Sequence, residues 1–379
     1  MVAPDPALPP EAWLVALADL PGMGPARLGA LLQAYGPAEA WQAVRECELA
    51  LDPAMAPSLG GGARAITASW RSAAATVDVA SRWADHAGLR VRAHGRPGYP
   101  AALARDLDPP ALLFMRGSPA LLDGVRVAVV GTRRCSAAGF ETARDLGRDL
   151  AVAGVHVVSG LALGIDGAAH RGALDALAAD ADSAPPIGVV ACGLDVVYPK
   201  RHRDLWEEVA TRGLLLSECP LGTRPERWRF PARNRIIAAL ADALVVVESP
   251  GHGGSMWTVD QANDRGVAVF AMPGPVRSAA SAGTNQLLFD GAHMARDATD
   301  VLTFLGLVQA EKRARDERVD PGPEARRVLR ALGWEPATLD TLARRTSLEL
   351  GPLSVAVTVL EAGGWIQRQG LWFERIGAR

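Results

Sequence analysis

Lysine is almost missing from this sequence, although positive charge is not. Only Lys200 and Lys312 occur, and arginine supplies the rest of the 40 basic residues. With 42 acidic residues the formal net charge is −2, so the chain as a whole is not basic. A partner that carries many phosphates would therefore have to meet a local cluster of arginines rather than a uniformly positive surface.

Cysteine is also scarce, and long apolar runs are absent. The four cysteines form no CxxC pair, and the seven histidines show no metal-ligand spacing. These absences argue against a disulfide framework and against the usual zinc sites. No apolar run is long enough to cross a bilayer, and the first 20 residues lack the basic region of a signal peptide. We therefore expect a cytoplasmic protein with no metal, no cofactor and no membrane partner.

The common catalytic motifs are missing as well. The sequence contains no GxSxG elbow, no GxxxxGK[ST] loop and no HExxH pair. Nothing resembles the paired carboxylates or the metal cluster of a nuclease. The sequence therefore predicts a binding protein and not an enzyme.

Two buried-strand runs, Val125–Val130 and Val155–Val158, each end in a glycine- or serine-containing loop that opens into a helical pattern. Parallel strands place such loops at one edge of the sheet, where helix N-termini and free N–H groups attract anions. Arg133 adds a full charge and a planar donor fork to the first loop. This favours a phosphate-type ligand over glycines that only make tight turns. The predicted phosphate-binding residues of these loops are Gly131, Thr132, Ser159, Gly160 and Gly164.

A third glycine-rich turn follows the predicted strand Ala243–Val247 and opens another helix. The glycines of this turn do not indicate a phosphate site by themselves. The turn is, however, predicted at the same edge of the sheet as the first two loops. We expect Gly253, Gly254 and Ser255 to add backbone N–H donors there.

Arginines and aromatic residues alternate in the segment 224–235. Basic groups follow a phosphate backbone, and aromatic faces stack on bases of any identity, so the segment is typical of single-strand binding. The alternative is a solvated loop whose arginines pair with Glu218 and Glu226. Because Phe230-Pro231 breaks the loop, we expect a helix to start near Asn234, with Arg233 and Arg235 at its N-terminus beside Arg133. The predicted contacts are Arg133, Lys200, Arg227, Phe230, Arg233, Asn234 and Arg235.

Alternating strands and helices from about residue 91 predict an α/β fold with a doubly wound parallel sheet. Further strands are expected at Ile187–Ala191, Leu214–Ser217 and Val267–Ala271. Leu17–Leu28 has the pattern of a helix-hairpin-helix, which contacts DNA phosphates, or of a hairpin used for packing. We divide the chain into an N-terminal helical domain (1–90), a Rossmann-like domain (91–308), a charged linker (309–323) and a C-terminal domain (324–379).

The C-terminal residues predict a winged helix. Three segments have helical periodicity, and two short strands straddle Gly370 like a wing. The expected recognition helix reads PLSVAVTVLEA and holds no Lys or Arg. A role in protein binding or regulation is therefore favoured over tight DNA contact.

Several blocks of this sequence resemble one family, DNA-processing protein A (DprA, also called Smf). The blocks keep the family's order over about 125–295 and read VVGTRR, VVSGLALGIDGAAHRGAL, GLDVVYPKRHRDLW, LLLSECPLGTRP, FPARNRIIAAL, GGSMWTVDQA, VFAMPGP and GTNQLLFDGA. The resemblance implies an extended Rossmann-like fold, with an N-terminal helix-hairpin-helix or SAM-like domain and a winged-helix-like domain in longer members.

The resemblance also implies a function. Such proteins are homodimers of natural transformation that bind incoming single-stranded DNA, protect it and load the recombinase RecA onto it. Arg133 would then hold a phosphate, Arg227 would add a basic contact, and Phe230 would stack on or pack against the strand. Trp257 departs from the small or aliphatic residues common at this point of the family pattern, which can alter the wall of the pocket.

Two rival functions follow from the same residues. The Rossmann variant is similar to nucleotide phosphoribohydrolases of the "lonely guy" type, whose PGGxGTxxE motif ends in a glutamate that acts in N-glycosidic cleavage. Here Gln261 stands three positions after Thr258, and an amide cannot replace that carboxylate. The other rival is a RecA-binding scaffold with a vestigial DNA pocket, against which the arginine and phenylalanine cluster argues.

Overall fold

The computed structural model describes residues 8–46, 49, 52–53, 55–307, 320–334 and 336–376. The chain divides into two compact units, Met1–Val308 and Gln309–Arg379. Most of the linker predicted at 309–323 lies outside the described residues, which resume at 320. Each unit is considered by itself below.

The first unit is an α/β structure, and its strands and helices alternate from residue 112 onward. The strands are β1 Arg90–Ala93, β2 Leu112–Gly117, β3 Arg126–Val130, β4 His156–Ser159, β5 Ile187–Val189, β6 Leu214–Ser217, β7 Ala243–Val246, β8 Ala268–Ala271 and β9 His293–Met294. The helices are α1 Pro10–Ala18, α2 Pro25–Ala34, α3 Pro37–Glu46, α4 Ala56–Leu59, α5 Ala63–Ala74, α6 Val79–Ala84, α7 Ala101–Ala104, α8 Ala137–Val152, α9 Ile165–Ala179, α10 Arg203–Arg212, α11 Arg229–Leu240, α12 Gly254–Asp264, α13 Ala282–Phe289 and α14 Ala298–Phe304.

The nine strands form one sheet in the order β1-β2-β6-β5-β4-β3-β7-β8-β9. All neighbours from β6 to β9 are parallel, and β1 and β2 add an antiparallel edge. The predicted doubly wound parallel sheet is therefore confirmed. The chain runs from β3 outward through β4, β5 and β6 and then returns to β7 on the other side of β3. Ligands of such sheets bind outside the carboxyl ends, at the point where the strand order reverses.

Apolar residues cover both faces of the sheet, which is why its strands read as continuous hydrophobic runs. On one face, α11 and α12 contribute Ile236 and Val259 to a core with Val130 and Leu216. On the opposite face, α8 and α9 contribute Leu146, Ile165 and several alanines. This two-sided burial fixes the carboxyl ends of β3 to β7 as a rigid edge.

The N-terminal helices pack against the antiparallel end of the same sheet. Trp13, Leu17 and Trp70 share one apolar core with Phe114 of β2 and Leu215 of β6. A turn at residues 19–24 joins α1 to α2, so the predicted helical hairpin is present. Residues 1–90 thus belong to the same compact unit as the sheet.

The second unit has the three helices and the hairpin that the sequence predicts for a winged helix. Its elements are α15 Pro323–Leu332, β10 Ala337–Thr338, α16 Leu339–Thr346, α17 Leu350–Ala362, β11 Ile366–Gln369 and β12 Trp372–Arg375. The three strands pair in the order β10-β12-β11. Among the described residues of the whole chain, no helix has both the length and the apolar character needed to span a membrane.

Candidate nucleic-acid interface

A cavity of about 50 Å³ opens at the carboxyl ends of β4 and β5. Arg133, from the loop after β3, and Phe230, at the start of α11, both line it. Its remaining walls come from the loops that follow β4 and β5 and from α11, namely Gly160, Ala162, Leu163, Val190, Ala191, Cys192, Tyr198, Pro199 and Arg233. Three of the predicted contact residues therefore meet at one place.

Phe230 contacts both a cation and a second aromatic ring. The guanidinium carbon of Arg133 is 5.0 Å from the centroid of the Phe230 ring, a cation–π distance. The Tyr198 ring is tilted by 41° to the same ring, with 5.5 Å between centroids. Arg133 is exposed and Tyr198 is 39% exposed. This group presents a charged donor fork next to apolar ring surface, which suits a phosphate and a base.

Arg233 forms the floor of the cavity and is only 5% exposed. Its guanidinium donates to the carbonyl oxygens of Val189 and, at 3.1 Å, of Gly160. Burial lowers the pKa of Arg233 to about 10, while the nearby Asp166 carboxylate favours the charged form. Arg233 therefore ties the ends of β4 and β5 together beneath the open part of the site.

The predicted start of the helix near Asn234 is wrong. Helix α11 begins at Arg229, so Pro231 lies in its first turn. Proline is tolerated there because first-turn N–H groups have no partner within the helix. Arg233 and Arg235 consequently lie beyond the first turn and face the interior.

Arg235 is buried and its charge is paired. Its guanidinium contacts the carboxylate of Glu218 at 2.5 Å and that of Asp108 at 2.9 Å. Burial raises the pKa of Glu218, and the adjacent Arg235 acts in the opposite direction. The alternative interpretation of this segment predicted ion pairs with Glu218 and Glu226, and both are present, since Arg229 also contacts Glu226 at 3.4 Å.

The first glycine loop does not leave a phosphate site at the N-terminus of α8. Thr132 donates its N–H to the carbonyl of Glu248 at 2.7 Å. The carboxylate of Glu248 accepts from the N–H of Ser136 at 2.8 Å and from its hydroxyl at 2.6 Å. A Cβ at Gly139 would lie 2.3 Å from that carboxyl carbon, so a larger residue there would displace the Glu248 carboxylate. An internal anion thus occupies the position where a ligand phosphate was expected from Gly131 and Thr132.

We expect Glu248→Ala to lower the free energy of unfolding by about 1–2 kcal/mol, because the first turn of α8 loses a charged acceptor. Glu248→Gln keeps the shape and one acceptor oxygen, so its loss should be smaller. Urea denaturation of the three proteins measures the difference. Equal stability of all three would show that the carboxylate does not hold the helix terminus.

The second glycine loop is likewise occupied by internal bonds. Ser159 is fully buried and donates its hydroxyl to Val129 at 2.6 Å. Gly160 donates its N–H to Asp166 at 3.1 Å, and its carbonyl accepts from Arg233. Gly164 has φ +78° at the start of α9, where a Cβ would meet the Thr132 carbonyl at 2.3 Å. The Gly160 N–H is therefore not free for a ligand, and Ser159 and Gly160 shape the pocket through internal bonds.

The third glycine loop keeps donors at the N-terminus of α12. Gly253 precedes the helix and Gly254 is its first residue. Within the described part of the chain, the N–H groups of Gly254 and Ser255 have no acceptor. The Ser255 hydroxyl bonds that of Ser249 at 2.8 Å, and Asn234 donates to the Gly254 carbonyl at 3.4 Å.

Lys200 and Arg227 are both exposed. Among the described residues, neither side chain has a hydrogen bond or ion pair. They remain available to a ligand that reaches beyond the cavity.

Three residues important to this arrangement were not assigned from the sequence. Tyr198 adjoins the Phe230 ring, Glu248 fills the α8 terminus, and Asp166 accepts a hydrogen bond from the Gly160 N–H. Glu248 lies two residues beyond the end of β7, the strand that pairs with β3, and this is how it reaches the loop after β3 from 112 residues away. Nothing in the spacing could have placed Tyr198 beside Phe230.

Gln261 does not face the candidate site as a catalytic group would. Its side-chain oxygen accepts from Arg265 at 2.9 Å within the same helix, α12. Arg265 in turn forms a buried pair with Asp106.

Comparison with known proteins agrees with this architecture. The family model of DNA recombination-mediator protein A matches residues 90–306, and that of the DprA winged helix domain matches residues 311–370. A putative DNA processing protein DprA of Mycobacterium tuberculosis is 42% identical over 278 residues, which are 69% of this chain and 68% of that protein. Protein Smf of Escherichia coli is 33% identical over 279 residues, 71% and 72% of the two chains.

Two solved structures are also similar. DprA from Streptococcus pneumoniae superimposes with a TM-score of 0.64 at 28% identity, covering 78% of this chain and 98% of that chain. DNA processing protein A from Helicobacter pylori, whose structure describes a single-stranded DNA binding mode, gives a TM-score of 0.51 at 31% identity over 57% and 95%. This chain belongs to the DNA recombination-mediator protein A family.

Proposed function

We propose that this protein binds single-stranded DNA at the carboxyl ends of its central strands and does not transform it chemically. The observation that carries the proposal is the Arg133–Phe230–Tyr198 group at the mouth of an open cavity. A guanidinium fork suits a phosphate, and an aromatic face accepts any base. The Helicobacter pylori relative, described as binding single-stranded DNA, supports the same assignment.

The proposed contacts are fewer than the sequence alone suggested. Arg133, Lys200 and Arg227 would bind phosphates, because all three are exposed. Phe230 would stack on a base. Arg233 would act by shaping the cavity, and Arg235 is left out of the contact set because two carboxylates already bind it.

The glycine loops take unequal parts in this proposal. The N–H groups of Gly254 and Ser255 would donate to the strand, with Asn234 beside them. Gly131, Thr132, Ser159, Gly160 and Gly164 would support the pocket, since the N–H groups of Thr132 and Gly160 already have acceptors.

The cellular role is proposed from the family. We propose a cytoplasmic homodimer that protects single-stranded DNA taken up in natural transformation and loads RecA onto it. Contact of the α1–α2 hairpin with duplex DNA is a further proposal that rests on the sequence pattern. Single- and double-stranded oligonucleotides of equal length, titrated with and without RecA, would test these roles separately.

Enzymatic cleavage of nucleotides is the less favoured alternative. Gln261 bonds Arg265, and the Glu248 carboxylate occupies the α8 terminus that would bind a mononucleotide phosphate. Incubation with nucleoside monophosphates should release no free base. Turnover that depends on residues of the cavity would overturn this ranking.

We expect Arg133→Ala to weaken binding of oligothymidylate and to reduce its salt dependence. Each phosphate contact to a single strand contributes about −0.7 to the slope of log K against log salt concentration, so one lost contact should make the slope less steep by about 0.7. Fluorescence anisotropy over a series of salt concentrations measures it. Arg144→Ala serves as the control. It removes a surface arginine of α8 that pairs with Asp175 of α9, and it should leave the slope unchanged. An unchanged slope for a folded Arg133→Ala would contradict the phosphate contact.

A further inference from the structure

Trp228 lies two residues before Phe230 and is the residue that precedes α11. It is 47% exposed and so presents a large apolar ring to solvent. Its position is fixed by neighbours on several sides. The indole N–H donates to Glu226 at 2.6 Å, and the Arg229 guanidinium carbon lies 4.3 Å from the ring centroid.

The far edge of the indole faces the N-terminal helical hairpin. A Cβ built at Gly24, the residue before α2, would lie 3.4 Å from the tip of the six-membered ring of Trp228. The nitrogen edge, the opposite edge and one face of the indole are therefore all covered. Among the described residues, none stacks on the other face, and 47% of Trp228 is exposed.

The charges around that open face favour a polyanion. Arg224 and Arg227 are exposed on the same segment, and within the described residues neither has an acidic partner. Arg229 pairs with Glu226 at 3.4 Å and lies over one face of the ring, so the attraction for a polyanion comes from Arg224 and Arg227. The arrangement of an arginine against an aromatic ring is the same as at Phe230, whose ring is contacted by Arg133.

We propose that Trp228 is a second base-stacking position, so that the bound strand runs from the Phe230 cavity toward the α1–α2 hairpin. This inference rests on the proposed binding of single-stranded DNA. Two residues of chain span at most about 7 Å, which keeps the two rings close enough to bind one short oligonucleotide. The positions of the two rings then define the path of the strand across the edge of the sheet.

A length series of oligothymidylates tests the inference. Thymidine monophosphate has one base and can occupy only one ring, whereas oligothymidylates of about 4 to 16 nucleotides reach both rings and cover the site sizes known for single-strand binding folds. We expect Trp228→Ala to lower the affinity for the oligothymidylates by about five- to 150-fold and to leave that for thymidine monophosphate nearly unchanged. Trp228→Phe should restore most of the loss, because it keeps a stacking face. Phe230→Ala should weaken binding at every length.

Trp334 provides a matched control for the loss of an exposed tryptophan. It is 71% exposed and has the Arg375 guanidinium 4.7 Å from its ring centroid, but it belongs to the C-terminal unit. Trp334→Ala should bind all lengths as the parent does. Thermal unfolding of each variant separates stacking from packing against Gly24, since a structural role would lower stability and weaken binding equally at all lengths.

Tryptophan fluorescence tests the stacking of a base on Trp228 independently of affinity. Base stacking should quench the Trp228 indole, so saturating oligothymidylate should reduce the emission of the parent more than that of Trp228→Phe. Equal quenching, or equal weakening of thymidine monophosphate and oligothymidylate binding, would refute the second position. If Arg133→Ala and Phe230→Ala also bind normally, the proposed function itself fails; if they bind weakly, only this inference does.

Discussion

Replacing Arg233 with methionine should lower the free energy of unfolding of the first unit by about 3–5 kcal/mol. The guanidinium is buried beside Asp166 and donates to two backbone carbonyls at the ends of β4 and β5. The Arg233 guanidinium and the Asp166 carboxylate are both buried and attract each other, so the substitution leaves the carboxylate without a nearby positive charge in a medium that solvates it poorly. The carbonyl oxygens of Val189 and Gly160 would lose their donor as well.

Urea denaturation of the full chain measures this loss in the transition of the first unit. Arg227→Met, a change to an exposed arginine of the same segment, should alter stability by no more than about 0.5 kcal/mol. The double variant Arg233→Met/Asp166→Asn should lose less than the sum of the two single variants, because the stranded charge is then absent. A loss for Arg233→Met no larger than that for Arg227→Met would show that Arg233 is not a structural tie.

Phe230→Ala should reduce the affinity for oligothymidylate by about five- to 150-fold, the range expected when one base loses an aromatic stacking partner. The ring lies at the mouth of the cavity, with Arg133 and Tyr198 next to it. Its removal would also leave Arg133 without the surface that orients its guanidinium. Fluorescence anisotropy at fixed salt concentration measures the change.

Phe230→Leu separates stacking from packing. Leucine keeps an apolar side chain near Tyr198 but offers no aromatic face, so its affinity should fall nearly as far as that of the alanine variant. Circular dichroism should show that both variants are folded. Full affinity of Phe230→Leu would mean that Phe230 only fills space, and that the base binds elsewhere.

The sequence predicted the parallel sheet well because buried parallel strands read as continuous apolar runs between turn residues. It predicted β3, β4, β6, β7 and β8 at nearly their observed bounds. The antiparallel edge was missed: β1 holds only four residues with two arginines among them, and β2 was not predicted although its first four residues are apolar and buried. The start of α11 was misplaced because proline was taken as a break, whereas it is tolerated in a first helical turn.

The candidate site was predictable only in part. Chain order placed Arg133 and Phe230 at one edge of the sheet, and the structure brings them into contact. The burial of each arginine could not be predicted from the sequence. Arg227 and Arg233 belong to the same arginine-rich segment, yet Arg227 is exposed and Arg233 is buried. The anion at the α8 terminus was also hidden, since it depends on Glu248, 112 residues from Ser136.

A structure of the protein bound to oligothymidylate tests the central claim most directly. The account predicts a phosphate at the Arg133 guanidinium and a base against the Phe230 ring, with the strand crossing the carboxyl ends of β3, β4 and β5. A strand bound on another surface, with the cavity beside Phe230 empty, would contradict it.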